Sequence, residues 1–101
     1  MNRFLACLLL WSLWPSWVAA EDAAPQALYI ANMGVMIERG DTKVVFDPLF
    51  SNDFDIYEAV PAKVEAAMLA GIEPWDGIDA VFISHHHGDH IDPATILKLL
   101  N

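Results

Sequence analysis

The chain has 101 residues, room for one small domain, and is 55% hydrophobic and 19% charged, which excludes disorder by composition. Fourteen acids against five bases give a formal charge of −9. That balance argues against nucleic acids and anionic lipid surfaces as partners, because both reward clustered Lys and Arg.

The first twenty-two residues, MNRFLACLLLWSLWPSWVAAED, carry one base, an apolar run from Phe4 to Trp14, Pro15, and the small residues Val18, Ala19 and Ala20 before two acids. This is the plan of a secretory signal peptide with cleavage after Ala20. A membrane anchor is the other reading, but the run is about half of the roughly 20 residues a span needs, and Pro15 interrupts it. The expected domains are therefore a signal over 1–20, a loose leader over 21–26, and a folded part from 27 to 101. The expected destination is secreted or periplasmic, with no stable membrane anchor. Cys7, the single cysteine, leaves with the signal, so any metal site must use nitrogen and oxygen ligands. Cleavage removes Arg3 and no acid, which takes the charge from −9 to −10.

From residue 27 the pattern predicts strands over 27–30, 35–39 and 43–46, joined by turns at Asn32-Met33-Gly34 and Gly40-Asp41, an antiparallel meander. Asp47-Pro48 stops the third strand, because proline cannot donate to a ladder and the Asp side chain can cap the turn. Residues 51–55, SNDFD, read as an acidic loop. Pro61 to Ala70 reads as a helix closed by Gly71, with Val60, Val64, Ala67 and Met68 as a core stripe. Trp75 falls in the following loop, where covering the core is the commoner role and facing a substrate the rarer one. Ala80 to Ile83 is a short apolar strand of the kind buried on both faces. Asp92-Pro93 opens a last helix, an N-cap acid followed by proline at N1.

All four histidines lie between that strand and that helix, in ISHHHGDHID at 83–92. Side chains two apart on an extended backbone point the same way, so His85 and His87 can reach one cation together while His86 points elsewhere. Gly88 lets the backbone turn, which allows Asp89 and His90 to swing toward a second position. Imidazole and carboxylate ligands grouped as two pairs around a turn suit two divalent ions better than one. A solvated His-rich loop is the bland alternative.

Ile83 to His90 resembles the signature of the metallo-β-lactamase superfamily of metallo-hydrolases, Val45-Phe46-Asp47-Pro48 resembles its first motif, and Tyr29 to Val35 its usual start. The resemblance covers about residues 27–100. It implies an α/β fold, an αββα sandwich of which the N-terminal half is present. It also implies hydrolysis of an ester, lactone, lactam or phosphodiester by a metal-bound hydroxide. Carried over by position, His85 and His87 hold the first ion and Asp89 and His90 the second, while Asp89 orients the attacking group and Asp47 braces the loop through hydrogen bonds. The ions are of zinc type, with manganese or iron as the other candidates, and the substrate is a small molecule rather than a nucleic acid. The oligomeric state is open.

The family's site also takes two further histidines and a bridging aspartate from the C-terminal half of the domain, and eleven residues follow His90. The expectation is an N-terminal fragment of a longer enzyme; the alternative is a non-catalytic metal-binding remnant. An iron oxidoreductase of the same fold is a third reading. Ile91-Asp92-Pro93 and Asp47-Pro48-Leu49-Phe50 look more like the lactonase and phospholipase-D-like branches than the glycine-rich β-lactamase or glyoxalase types.

Overall fold

A computed structural model describes residues 24–52 and 55–101. The proposed signal and the first half of the leader therefore lie outside the described residues, as do two positions of the acidic loop. No helix among the described residues is long and apolar enough to cross a membrane.

Three strands, β1 (Gln26–Ala31), β2 (Gly34–Arg39) and β3 (Thr42–Phe46), form the expected antiparallel meander. Arg39 pairs with Thr42, so only Gly40 and Asp41 make the turn, and Gly40 takes the positive φ of +57° that two-residue hairpins favour. The register slips between Tyr29 and Ala31, and Ala31 then pairs with Gly34.

A crossover carries the chain to β4 (Ala80–Phe82), which runs parallel to β3 with Val45 opposite Val81. Parallel neighbours need such a connection, and here it contains α1 (Ala62–Leu69). This helix ends as the sequence suggests. Gly71 adopts φ +60°, its N–H donates to Met68 and the N–H of Ile72 to Ala67, the paired bonds of a Schellman cap. The last helix, α2 (Pro93–Leu99), starts at Asp92, whose carboxylate accepts from the Ala94 N–H and the Thr95 hydroxyl. Among the described residues, four strands in the order β1-β2-β3-β4 make one mixed sheet.

Strand alternation gives this sheet two unlike faces. Ile30, Met36 and Val45 point to one side and pack with Met68 of α1, Ile96 of α2, Leu49 and Trp75. Trp75 is only 6% exposed, so it is core, as the commoner reading of a loop tryptophan holds. The other side carries Tyr29, Ile37, Phe46 and Phe82. Phe46 stacks on Phe82 with ring centroids 5.0 Å apart, yet Tyr29 and Phe82 remain 60% and 50% exposed.

That face corrects one expectation. β4 is not buried on both sides: it is the outer strand of the sheet, and its Phe82 faces away from the helices. An apolar run of four residues reports that water is excluded somewhere in the folded state, but not which described element excludes it.

Candidate metal centre

The site forms where β3 and β4 end side by side. The Asp47 N–H donates to the Phe82 carbonyl at 2.9 Å, extending the strand pairing by one rung. Asp47 itself adopts φ +42°, a left-handed conformation that Asp tolerates better than most residues. The kink turns its side chain onto the chain leaving β4. One carboxylate oxygen accepts from the Ser84 N–H at 2.7 Å. The other lies 2.6 Å from the Ser84 hydroxyl and 2.8 Å from His90 Nδ1.

Asp47 and His90 are both buried, at 4% and 7% exposure. Burial pushes the Asp47 carboxyl up, but the Ser84 hydroxyl, His90 and the Ser84 amide together outweigh it and hold the group below its ordinary value. A buried carboxylate with this many donors is stable as the anion.

The loop beyond is held at three consecutive carbonyls. His87 accepts from the N–H groups of His90 and Ile91, and Gly88 accepts from the N–H and hydroxyl of Ser51. Asp89 accepts from the Asn32 side-chain amide at 2.9 Å. The Asp92 N–H adds a fourth tie, to Leu49. Side chains therefore project from a backbone tied down at 87, 88, 89 and 92, which is what a preorganised ligand set needs.

His85, His87 and Asp89 are brought together: one ligand atom from each lies within 4.8 Å of the others. Zinc sits about 2.0–2.1 Å from imidazole nitrogen, which places ligand atoms of a tetrahedral ion roughly 3.3 Å apart. The three atoms must then close by no more than about 1.5 Å, within reach of side-chain rotation for the exposed rings of His85 and His87. Two imidazoles and a carboxylate also match the nitrogen and oxygen donors a borderline divalent ion accepts. The donor set fits such an ion.

His90 stands beside the group, its ring 3.7 Å from that of His85 and its Nε2 3.4 Å from an Asp89 carboxylate oxygen. His86 stacks edge-on against His87 and is outside the three-ligand group.

A sequence model of the metallo-beta-lactamase superfamily matches residues 30–91, more than half of the chain. The protein belongs to that superfamily. The matched span begins in β1, includes Asp47, and ends just past the histidine loop, so it takes in every element that builds the site. Metallo-β-lactamase superfamily membership places the chain in a family of metal-dependent hydrolases that generally bind divalent ions. No solved structure matches it.

Two positioning side chains escape a reading of the sequence. Ser84 contacts Asp47, His85 and His90 at once, yet a serine before a histidine cluster gives no sign of three partners. Asn32 reads as a turn residue; that its amide reaches a carbonyl 57 positions away is set by tertiary structure alone. Gly34, which the sequence marks only as part of a turn, also serves the site. A Cβ there would sit 3.0 Å from the carbonyls of Ala31 and Asp47, so glycine lets the β1–β2 turn close onto the site.

Proposed function

We propose that this chain supplies the N-terminal ligand set of a two-metal hydrolase, with His85 and His87 on one ion and Asp89 and His90 on the other. The observation that supports the reading is the place of Asp89 between the two pairs: a ligand atom within 4.8 Å of those of His85 and His87, and a carboxylate oxygen 3.4 Å from Nε2 of a His90 held from behind by Asp47. A histidine whose far nitrogen meets a carboxylate is the usual arrangement behind a metal ligand. Zinc is the proposed ion at both positions.

Bound divalent ions would activate water and polarise the scissile carbonyl or phosphoryl group. The chain's own groups supply the placement. Asp89, partly buried, presents its carboxylate to orient the attacking water. Asp47 and Ser84 fix His90, and the carbonyl ties at 87, 88 and 89 fix the loop. The proposed substrate class is a small ester, lactone, lactam or phosphodiester, consistent with a charge of −9 that repels nucleic acid.

The sheet supports the rest of the fold proposal. Tyr29, Ile37, Phe46 and Phe82 form an apolar face opposite the helices, and a second sheet packed there would complete an αββα sandwich. Residues 1–20 are proposed to direct export. A second reading, a metal-binding remnant without catalysis, draws on the exposure of His85 and His87.

Zinc titration of the full chain tests the ligand assignment. The parent should take up zinc, and His87→Ala should lose it while keeping its fold. Equal zinc stoichiometry in both proteins would falsify the assignment. Hydrolysis by the zinc-loaded chain of any substrate in an ester, lactone, lactam and phosphodiester panel would remove the remnant reading.

A further inference from the structure

Ser84 lies at the centre of four polar contacts whose protons can be distributed in only one way. An ionised carboxylate accepts and does not donate, and both neighbours of the second Asp47 oxygen must therefore bring a proton to it. The Ser84 hydroxyl, at 2.6 Å, spends its single hydrogen there. His90 Nδ1, at 2.8 Å, must carry a hydrogen as well. The serine oxygen now has only lone pairs left. It faces His90 Nδ1 at 2.9 Å, whose one hydrogen is shared with the Asp47 oxygen, and His85 Nδ1 at 3.2 Å, and can only accept from each. His85 Nδ1 must then be protonated too. In a neutral imidazole with hydrogen on Nδ1, Nε2 is a bare lone pair.

We propose that Ser84 is a positioning residue that relays the Asp47 carboxylate to His85, so that one buried anion sets His85 and His90 alike in the Nδ1–H tautomer. This deepens the metal-site reading and rests on it for its purpose, because a bare Nε2 is what a divalent ion requires. It goes further than a bracing role for Asp47. The relay assigns a distinct task to Ser84, reaches a histidine that Asp47 does not touch, and names the ligating atom on both rings. It also gives meaning to the 3.4 Å approach of His90 Nε2 to the Asp89 carboxylate. Two lone pairs face each other there, and a shared cation would resolve the repulsion.

The test is a long-range proton–nitrogen NMR correlation of the histidine rings in the metal-free full chain. It is run near pH 8, above the ordinary imidazole pKa of about 6.5. The parent should show the Nδ1–H pattern at His85 and His90. Ser84→Thr keeps the hydroxyl and should keep both patterns. Ser84→Ala should move His85 to the Nε2–H form that free imidazole side chains prefer, while His90 stays with Asp47. An Nε2–H pattern at His85 in the parent overturns the relay, and so does an unchanged His85 in Ser84→Ala. The parent spectrum decides the point even if the alanine variant does not fold.

Zinc titration of the same samples adds the functional consequence. Ser84→Ala should bind zinc about 10-fold more weakly, as outer-shell partners typically do, and Ser84→Thr should restore the affinity. Zinc binding as tight in Ser84→Ala as in the parent counts against the relay. A parent that shows the Nδ1–H pattern yet takes up no zinc overturns the metal reading and leaves the proton assignment standing.

Discussion

Strands β3 and β4 carry a polar cluster at each end, and the two are built to opposite plans. At the near end, Lys43 Nζ donates to the carbonyls of Pro74 and Asp76 and to the Asp76 carboxylate at 2.7–3.0 Å, while the Lys43 N–H donates to the Asp79 carboxylate. All three ammonium hydrogens have protein partners, so the cluster has nothing left for a ligand. At the far end, Asp47, Ser84 and His90 use one side of their polar groups on each other and leave ligand atoms of His85, His87 and Asp89 converging in front. The first cluster pins a loop to the sheet. The second holds a set of donors without consuming them. What separates a fastening from a site is which lone pairs remain uncommitted once internal hydrogen bonds are made.

Asp47→Ala should break the open cluster most severely. It removes the acceptor for the Ser84 N–H, the Ser84 hydroxyl and His90 Nδ1, and hydrogen bonds to a charged group are worth roughly 1.5–3 kcal/mol each. Urea unfolding should show a loss of roughly 4 kcal/mol or more, with zinc affinity falling some 10–100-fold. Zinc binding at the parent affinity in a folded variant would show that Asp47 does not support the ligands.

Gly34→Ala comes next. Its new Cβ would press on two backbone carbonyls at 3.0 Å, and overpacking of that kind typically costs about 1–3 kcal/mol. One of those carbonyls belongs to Asp47, so weaker zinc binding should accompany the lower stability. A change in stability alone would place Gly34 with the fold and not with the site.

Lys43→Met sharpens the comparison from the other end. It should lower the thermal midpoint while leaving zinc affinity untouched, because its partners lie in the loop at 74–79. Weaker zinc binding in this variant would contradict the separation of the two clusters.

Acid should act on both ends. Asp47 is held below its ordinary value against the push of burial, Asp76 by its bond to Lys43, and Asp92 by its bond to Thr95. A depressed folded pKa contributes stability that is present above the unfolded value, about 3.9, and is lost as pH falls through the folded one. The unfolding midpoint of the metal-free chain should therefore be level near neutrality and drop below about pH 4, less steeply in Asp47→Ala. An identical acid profile in that variant would remove Asp47 from the account. The smallest effect belongs to His86→Ala, which should leave zinc stoichiometry unchanged.

Local pattern made much of this molecule readable. Gly40, the Asp92-Pro93 pair and the Gly71 stop each punctuate an element through their own backbone chemistry, and the elements appear within a residue or two of where those signals put them. The pairing of His85 with His87 was readable for the same reason, since alternation acts over a few residues. The sequence set Asp89 with His90, and the approach of Asp89 to His85 and His87 as well depends on how the turn folds. The exposed flank of β4 was not, because burial depends on what lies across a face. The ties from Asn32 to Asp89 and from Ser51 to Gly88 were hidden too, since each joins residues dozens of positions apart through a main-chain carbonyl that has no sequence signature.

An anomalous difference map of zinc-loaded crystals, recorded at the zinc edge, would test the proposed pair of divalent ions on the loop after β4. Two peaks are expected, one between His85 and His87 and one between Asp89 and His90. A map with no zinc against these side chains, or with zinc held only by His86, would contradict the account.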